Sequence, residues 1–118
     1  MIGININDKD YPFTEWIFSG IKTIETRRTK SLHPYVGQRV GVIKTGKGKA
    51  TLVGFATIGT PIYYKTKAEF RKDENKHRVY EGSQYDIDEA GKWGYPIINP
   101  VRVMPIYINS KGIVARQI

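Results

Sequence analysis

The chain has 118 residues, a formal net charge of +8, 40% hydrophobic and 12% aromatic content, and no cysteine. That composition fits a folded chain of ordinary domain size, and it excludes intrinsic disorder, disulfide frameworks and thiolate metal centres. His33 and His77 share no metal-ligand spacing, so neither a metal nor another cofactor is expected. No apolar run approaches the ~18–20 residues that cross a bilayer. "MIGININDKD" has neither the basic nor the apolar region of a leader. A single cytoplasmic domain over residues 1–118, with no membrane partner, is the expectation.

Ile2, Ile4 and Ile6 alternate with Gly3 and Asn5, the pattern of a short strand with one buried face. "NDKDY" turns the chain, and Pro12 suits the first turn of a helix. Phe13, Trp16 and Ile17 then share one helical face, and Gly20 is a good left-handed terminator. Thr23, Ile24 and Thr26 favour a strand next. "SLHPYVGQ" reads as a loop and "RVGVIKT" as a second strand, with "GKGK" as its hairpin tip. The long "ATLVGFATIGTPIYY" predicts one extended stretch that bends at its glycines. Residues 66–77 predict a second helix, with Thr66 as N-cap and Glu69 completing a capping box. After an acidic turn region, "KWGYPIINPVRVMPIYI" predicts two strands broken by Pro100 and Pro105. About six strands that do not alternate with two helices argue for an α+β fold, a small mixed barrel with helices at its ends.

The charge is unevenly placed. Between Gly20 and Ala50 there are eight Lys and Arg and one acid, Glu25, so this quarter of the chain carries +7 and the rest only +1. Such asymmetry points to a polyanionic partner, with nucleic acid first and an acidic membrane surface second. A basic face that serves solubility alone is the plainer reading. In a strand, Thr23, Glu25 and Arg27 share one face, and Lys22 and Arg28 fall on the other. Lying directly after the helix, Lys22 is free to escape that alternation. Glu25 then serves either as an ion-pair anchor of the first helix or as a ligand contact, and the ligand contact is the expectation, because an anchor needs one cation and three lie within three residues of it. A carboxylate accepts from base N–H groups, and a guanidinium donates in a fork to phosphate or base edges. If Glu25 is purely a ligand contact, its replacement by Gln leaves stability nearly unchanged.

The run Gly20-Ile21-Lys22-Thr23-Ile24-Glu25-Thr26-Arg27, after a helix containing Trp16 and before "VGQRVGVIKT", resembles the signature of ASCH domains. Those are relatives of the PUA fold, a β-barrel of RNA-binding and RNA-modifying proteins. "VGFATI" and "GYPIINPVRVMPI" are similar to later strands of the family, and Gly37-Gln38 stands where Gly-Asp is usual. The resemblance implies a PUA-like mixed β-barrel of about six strands and two helices. It also implies a basic ligand cleft centred on Lys22, Glu25 and Arg27. Some compact members hydrolyse N4-acylated cytidine with a Lys, a Thr and a Glu. On that pattern Lys22 matches the lysine, but the nucleophilic threonine falls on Glu25, which has no hydroxyl proton to surrender. The pattern's glutamate would come from the second helix, at Glu69 or Glu74.

The nucleic-acid-binding candidates are therefore Lys22, Thr23, Glu25, Arg27, Arg28, Lys44, Lys47 and Trp93. Lys22 and Glu25 are the catalytic candidates if the chain is an enzyme. Lys44 precedes and Lys47 lies within the Gly-rich "TGKGK", which lacks the spacing of a P-loop and reads as a tip that touches phosphates or as a plain turn. Trp93, in "GKWGY", is placed to stack on a base at a cleft rim, whereas Trp16 shares its helix face with core residues. Of the consecutive Tyr63 and Tyr64, one should face outward, and His77 should interact with helix-end carbonyls. RNA or nucleotide binding is the leading reading. Hydrolysis of nucleic-acid components, by an amidohydrolase or ribonuclease, is the alternative. A protein-interaction module with an incidental basic face is the third.

Overall fold

β1 (Ile2–Asn7) lies between a parallel neighbour, β3 (Arg39–Thr45), and an antiparallel one, β7 (Ala115–Gln117). The computed structural model describes every residue from Met1 to Ile118. Alternation predicts one buried face for β1, yet Gly3, Ile4, Asn5 and Ile6 are all buried. The side chains of Ile43 and Ile118 close over Gly3 and so cover the second face.

α1 (Phe13–Phe18) starts where the buried Asp8 accepts the Thr14 N–H at 3.0 Å and also the Thr14 hydroxyl. This satisfies one of the free donors at the helix start. Gly20, at φ +82, turns the chain into β2 (Ile24–Arg27). A short 3-10 turn at His33–Tyr35 replaces part of the expected loop. β3 and β4 (Thr51–Ile58) form the expected hairpin around Gly46 and Gly48. The predicted single bending stretch is divided, because Gly59–Pro61 leaves the ladder before β5 (Ile62–Tyr64).

Thr66 caps α2 (Lys67–Lys72), its hydroxyl accepting the Glu69 N–H at 3.2 Å as the capping box requires. The predicted helix is broken at Asp73 and resumes as α3 (Glu74–His77). Tyr64 is buried and donates its hydroxyl to Asp73 at 2.7 Å, while Tyr63 faces outward.

The two strands expected around Pro100 and Pro105 are one 16-residue strand, β6 (Lys92–Tyr107). The prolines do not break it because β6 bulges against β4 beside each of them. The pairing steps from Thr57–Ile98 to Phe55–Val101, and from Gly54–Arg102 to Leu52–Ile106. Extra residues on β6 absorb the missing donors there, and Asn99 adopts a positive φ of 49°.

The sheet order is β2-β6-β4-β3-β1-β7, with β5 also on β6. This mixed sheet curls into a half-barrel, seven strands and three short helices where about six and two were expected. Its main core joins Ile4, Phe13, Leu32, Val42, Ala56 and Tyr95. A smaller cluster of Tyr64, Phe70, Val79 and Ile87 holds α2 and α3 against the barrel. No helix is long and apolar enough to cross a membrane.

Candidate functional site

The segment between α1 and β2 is pinned from three sides. The Lys22 N–H donates to Trp16 O at 2.9 Å, the Thr23 N–H to Lys76 O at 2.8 Å, and Ile97 N–H to Thr23 O at 2.8 Å. These bonds hold Lys22 ahead of the strand, so its side chain joins Glu25 on the inner side as the sequence allowed. Lys22 is 1% exposed. Its ammonium donates to His77 O at 2.6 Å, approaches Glu25 Oε1 at 3.5 Å and lies 4.6 Å over the Phe13 ring. Burial pushes the Lys22 amine below its ordinary pKa, and the Glu25 carboxylate partly restores it.

Glu25, 8% exposed, is held on its other oxygen by Arg27 Nη2 at 3.0 Å. Arg27 Nη2 also donates to Asn5 O at 2.7 Å, while its buried Nε–H has no partner. A carboxylate gripped by two cations is both an anchor and a wall of a cavity. That cavity, about 420 Å³, is lined by Lys22, Glu25, Thr26, Arg27 and Arg28 along one stretch of chain. Its size falls within the ~300–1,000 Å³ of small-molecule sites. Two further cations face it from distant parts of the chain, Lys92 of β6 and Arg116 of β7. Phe13, Val79, Tyr85 and Ile113 are its apolar residues. Five basic side chains thus surround a single carboxylate.

The remaining candidates lie elsewhere. Thr23 is exposed and does not line the cavity. Alternation along β3 turns Thr45 toward the cavity and Lys44 away from it. Lys44 joins Lys47, Lys49 and Tyr107 around a separate hollow of about 320 Å³. Trp93 sits in β6 rather than in a turn, one residue out of phase with Lys92. It packs on Tyr63 and His33 at ring separations of 4.8 and 4.7 Å, outside the cavity. Trp16 packs among Tyr11, Phe13 and Tyr80. Tyr95 is fully buried, its hydroxyl 2.6 Å from His33 Nδ1. Glu69 is committed to the α2 cap and Glu74 to Arg71, so neither reaches the cavity. No three His, Asp or Glu side chains are grouped to hold a metal ion.

Sequence reasoning missed Lys92, Arg116 and Asn5. Asn5 carried a usable signal, a polar residue inside an otherwise apolar strand. Its amide donates to Gly112 O and Ile113 O, both at 2.9 Å, and its carbonyl accepts from Arg116 Nε at 3.0 Å. It thereby fixes the C-terminal segment as one wall of the cavity. Lys92 and Arg116 carried none, because they come from the part of the chain with almost no net charge.

No family model matches this chain, and no curated protein matches it. Solved structures do. An ASCH protein of Zymomonas mobilis superposes with a TM-score of 0.73 at 20% identity, over 92% of this chain and 73% of that one. A serine-to-alanine variant of the same protein gives 0.72 at 22% identity, over 90% and 72%. A tyrosine-to-phenylalanine variant gives 0.68 at 19%, over 92% and 76%. The fold is therefore ASCH-like, as the resemblance of residues 20–27 implied.

Proposed function

We propose that the cavity beside Lys22, Glu25 and Arg27 binds RNA or a nucleotide. The observation that carries this reading is the set of five basic side chains, three from residues 22–28 in and around β2 and one each from β6 and β7, around one carboxylate. Guanidinium and ammonium groups offer charge-assisted donors to phosphate oxygens. Glu25 is the acceptor available to base N–H groups. Phe13, Tyr85 and Ile113 supply apolar surface for a ring face. The ASCH-like fold is compatible with nucleic-acid binding.

Fluorescence anisotropy with a labelled single-stranded RNA, repeated across salt concentrations, tests the reading. On single strands log K falls with log salt by roughly 0.7 per neutralised phosphate, so engagement of four phosphates gives a slope of about −3. Absence of binding at low salt, or binding indifferent to salt, would remove the nucleic-acid reading.

The hydrolytic alternative is favoured by one observation, a buried lysine whose amine is held below its usual pKa beside a cavity. Against it, that ammonium is already bonded to His77 O and Glu25, and Glu25 stands where a hydroxyl nucleophile would be needed. The expected outcome with N4-acetylcytidine is no turnover by liquid chromatography. Repeated turnovers to cytidine that vanish in Lys22→Ala would replace binding by catalysis.

A further inference from the structure

The β2–β6 ladder pairs Ile24 with Pro96, Glu25 with Tyr95, Thr26 with Gly94 and Arg27 with Trp93. Arg28 and Lys92 are the next residues along the two chains, and burial together with the Arg28 charge holds the Lys92 amine below its usual pKa. Like charges held this near each other repel. Both residues nevertheless line the cavity. Arg28 lies at the rim, its side chain 69% exposed and paired with Asp88. Lys92 is different. It is 4% exposed, its ammonium donates to Tyr85 O at 2.5 Å, and no carboxylate lies within ion-pairing distance. The acids around it are paired with other cations: Glu25 with Lys22 and Arg27, Asp86 with Arg71, and Asp88 with Arg28. A buried ammonium whose one direct partner is a neutral carbonyl, with Glu25, Asp86 and Asp88 acting on it only from beyond ion-pair distance, is unfavourable until an anion completes its surroundings.

We infer that Lys92, with Arg28 at the rim, seats a phosphate group, so that the cavity takes phosphomonoesters: a mononucleotide or the phosphorylated end of an RNA. This rests on the nucleotide reading for the rest of the ligand. A phosphomonoester near neutral pH brings close to two negative charges and three strong acceptor oxygens. It relieves the Arg28–Lys92 repulsion and supplies the partner that Lys92 lacks. An unphosphorylated nucleoside does neither. Lys22 lies at the other end of the motif and is already satisfied, so the phosphate seat is separate from it.

Isothermal titration of the four nucleoside 5′-monophosphates, their nucleosides and phenyl phosphate, against wild type, Lys92→Met and Arg28→Gln, decides the matter. Wild type is expected to bind at least one monophosphate tenfold or more tightly than its nucleoside. That preference should vanish in Lys92→Met and weaken in Arg28→Gln, whose exposed side chain can be changed without threatening the fold. If Lys92→Met does not fold, Arg28→Gln alone carries the comparison. Equal affinity of wild type for nucleosides and monophosphates, or a preference undiminished in the variants, would overturn the inference. So would a failure of every phosphate compound to bind. Phenyl phosphate bound in a Lys92-dependent way while no nucleotide binds would keep the phosphate seat and remove the nucleotide reading.

Discussion

Replacing Glu25 by Gln is expected to lower the melting temperature by about 12 °C at pH 7, a loss of about 3 kcal/mol. The carboxylate is the only acid in contact with Lys22, which is 1% exposed, and it also holds Arg27 at 3.0 Å. Removing its charge strands a buried ammonium and weakens the link between the end of α1, β2 and the His77 carbonyl. The low end of the usual ~3–5 kcal/mol for a broken buried pair applies, because Arg27 keeps partial access to water. A purely ligand-contacting Glu25 would leave stability unchanged. The geometry gives it a structural role as well as a place on the cavity wall.

The pH dependence of that loss is itself informative. With Glu25 gone, no charge opposes the burial that already depresses the Lys22 amine, and only the His77 carbonyl still favours the ammonium. The unfolded chain then holds a proton on Lys22 up to its ordinary pKa of about 10.4, while the folded variant releases it earlier. The unfolded state binds more protons in that window, so the variant gains stability as pH rises. Thermal melts at pH 7 and pH 9 should show the gap to wild type narrowing. An unchanged melt at pH 7 would show that the ion pair anchors nothing.

Local chemistry made the elements legible, and tertiary proximity hid part of the site. Gly20 and Thr66 mark their helix ends because each is a local device, a left-handed turn and a side-chain cap, that needs no distant partner. Pro100 and Pro105 misled for the converse reason. A proline ends a strand only where its missing donor is needed, and the bulges against β4 remove that need. The same distinction holds for charge. The +7 segment is contiguous in sequence, but strand alternation and the β3–β4 hairpin send Lys44, Lys47 and Lys49 to a separate hollow. Lys30 goes to the Trp93 ring, and Arg39 to the Asn99 carbonyl. What remains at the cavity is Lys22, Arg27 and Arg28, completed by Lys92 and Arg116 from across the sheet. Glu25 and its neighbours were readable because three functional groups lie within six residues of one another. Lys92 was not, since its meaning depends on the pairing of β2 with β6 that brings it to the same cavity as Arg28.

Acid is expected to destabilise the fold through His77, by about 3 kcal/mol between pH 6.5 and pH 4. His77 is fully buried and stacked on Phe70, ring centroids 3.9 Å apart and planes within 14°. Its Nε2–H donates to Phe70 O at 2.7 Å, and its Nδ1 accepts the Val79 N–H at 2.9 Å. Both nitrogens are committed in the neutral ring, and a second proton on Nδ1 would confront the Val79 donor. Burial, with Lys22 and Arg71 nearby, outweighs the Phe70 O hydrogen bond and the Glu74 charge and holds the imidazole down to about 4. The sign follows from that direction. In the unfolded chain His77 takes up its proton near pH 6.5, while the folded chain resists until about pH 4. The unfolded state binds more protons throughout that window, so the stability is whole above pH 6.5 and drains away as pH falls toward 4. Melts of wild type and His77→Gln from pH 7 to pH 4.5 check this, with the upper part of the range lying above the titration of ordinary carboxylates. Wild type should lose stability steadily, and His77→Gln, though less stable at pH 7, should show a distinctly flatter slope. Parallel slopes would clear His77 of the effect. The consequence reaches the cavity, because the carbonyl that holds the Lys22 ammonium belongs to His77 itself. Whatever loosens this ring also loosens the lysine behind the only carboxylate of the site.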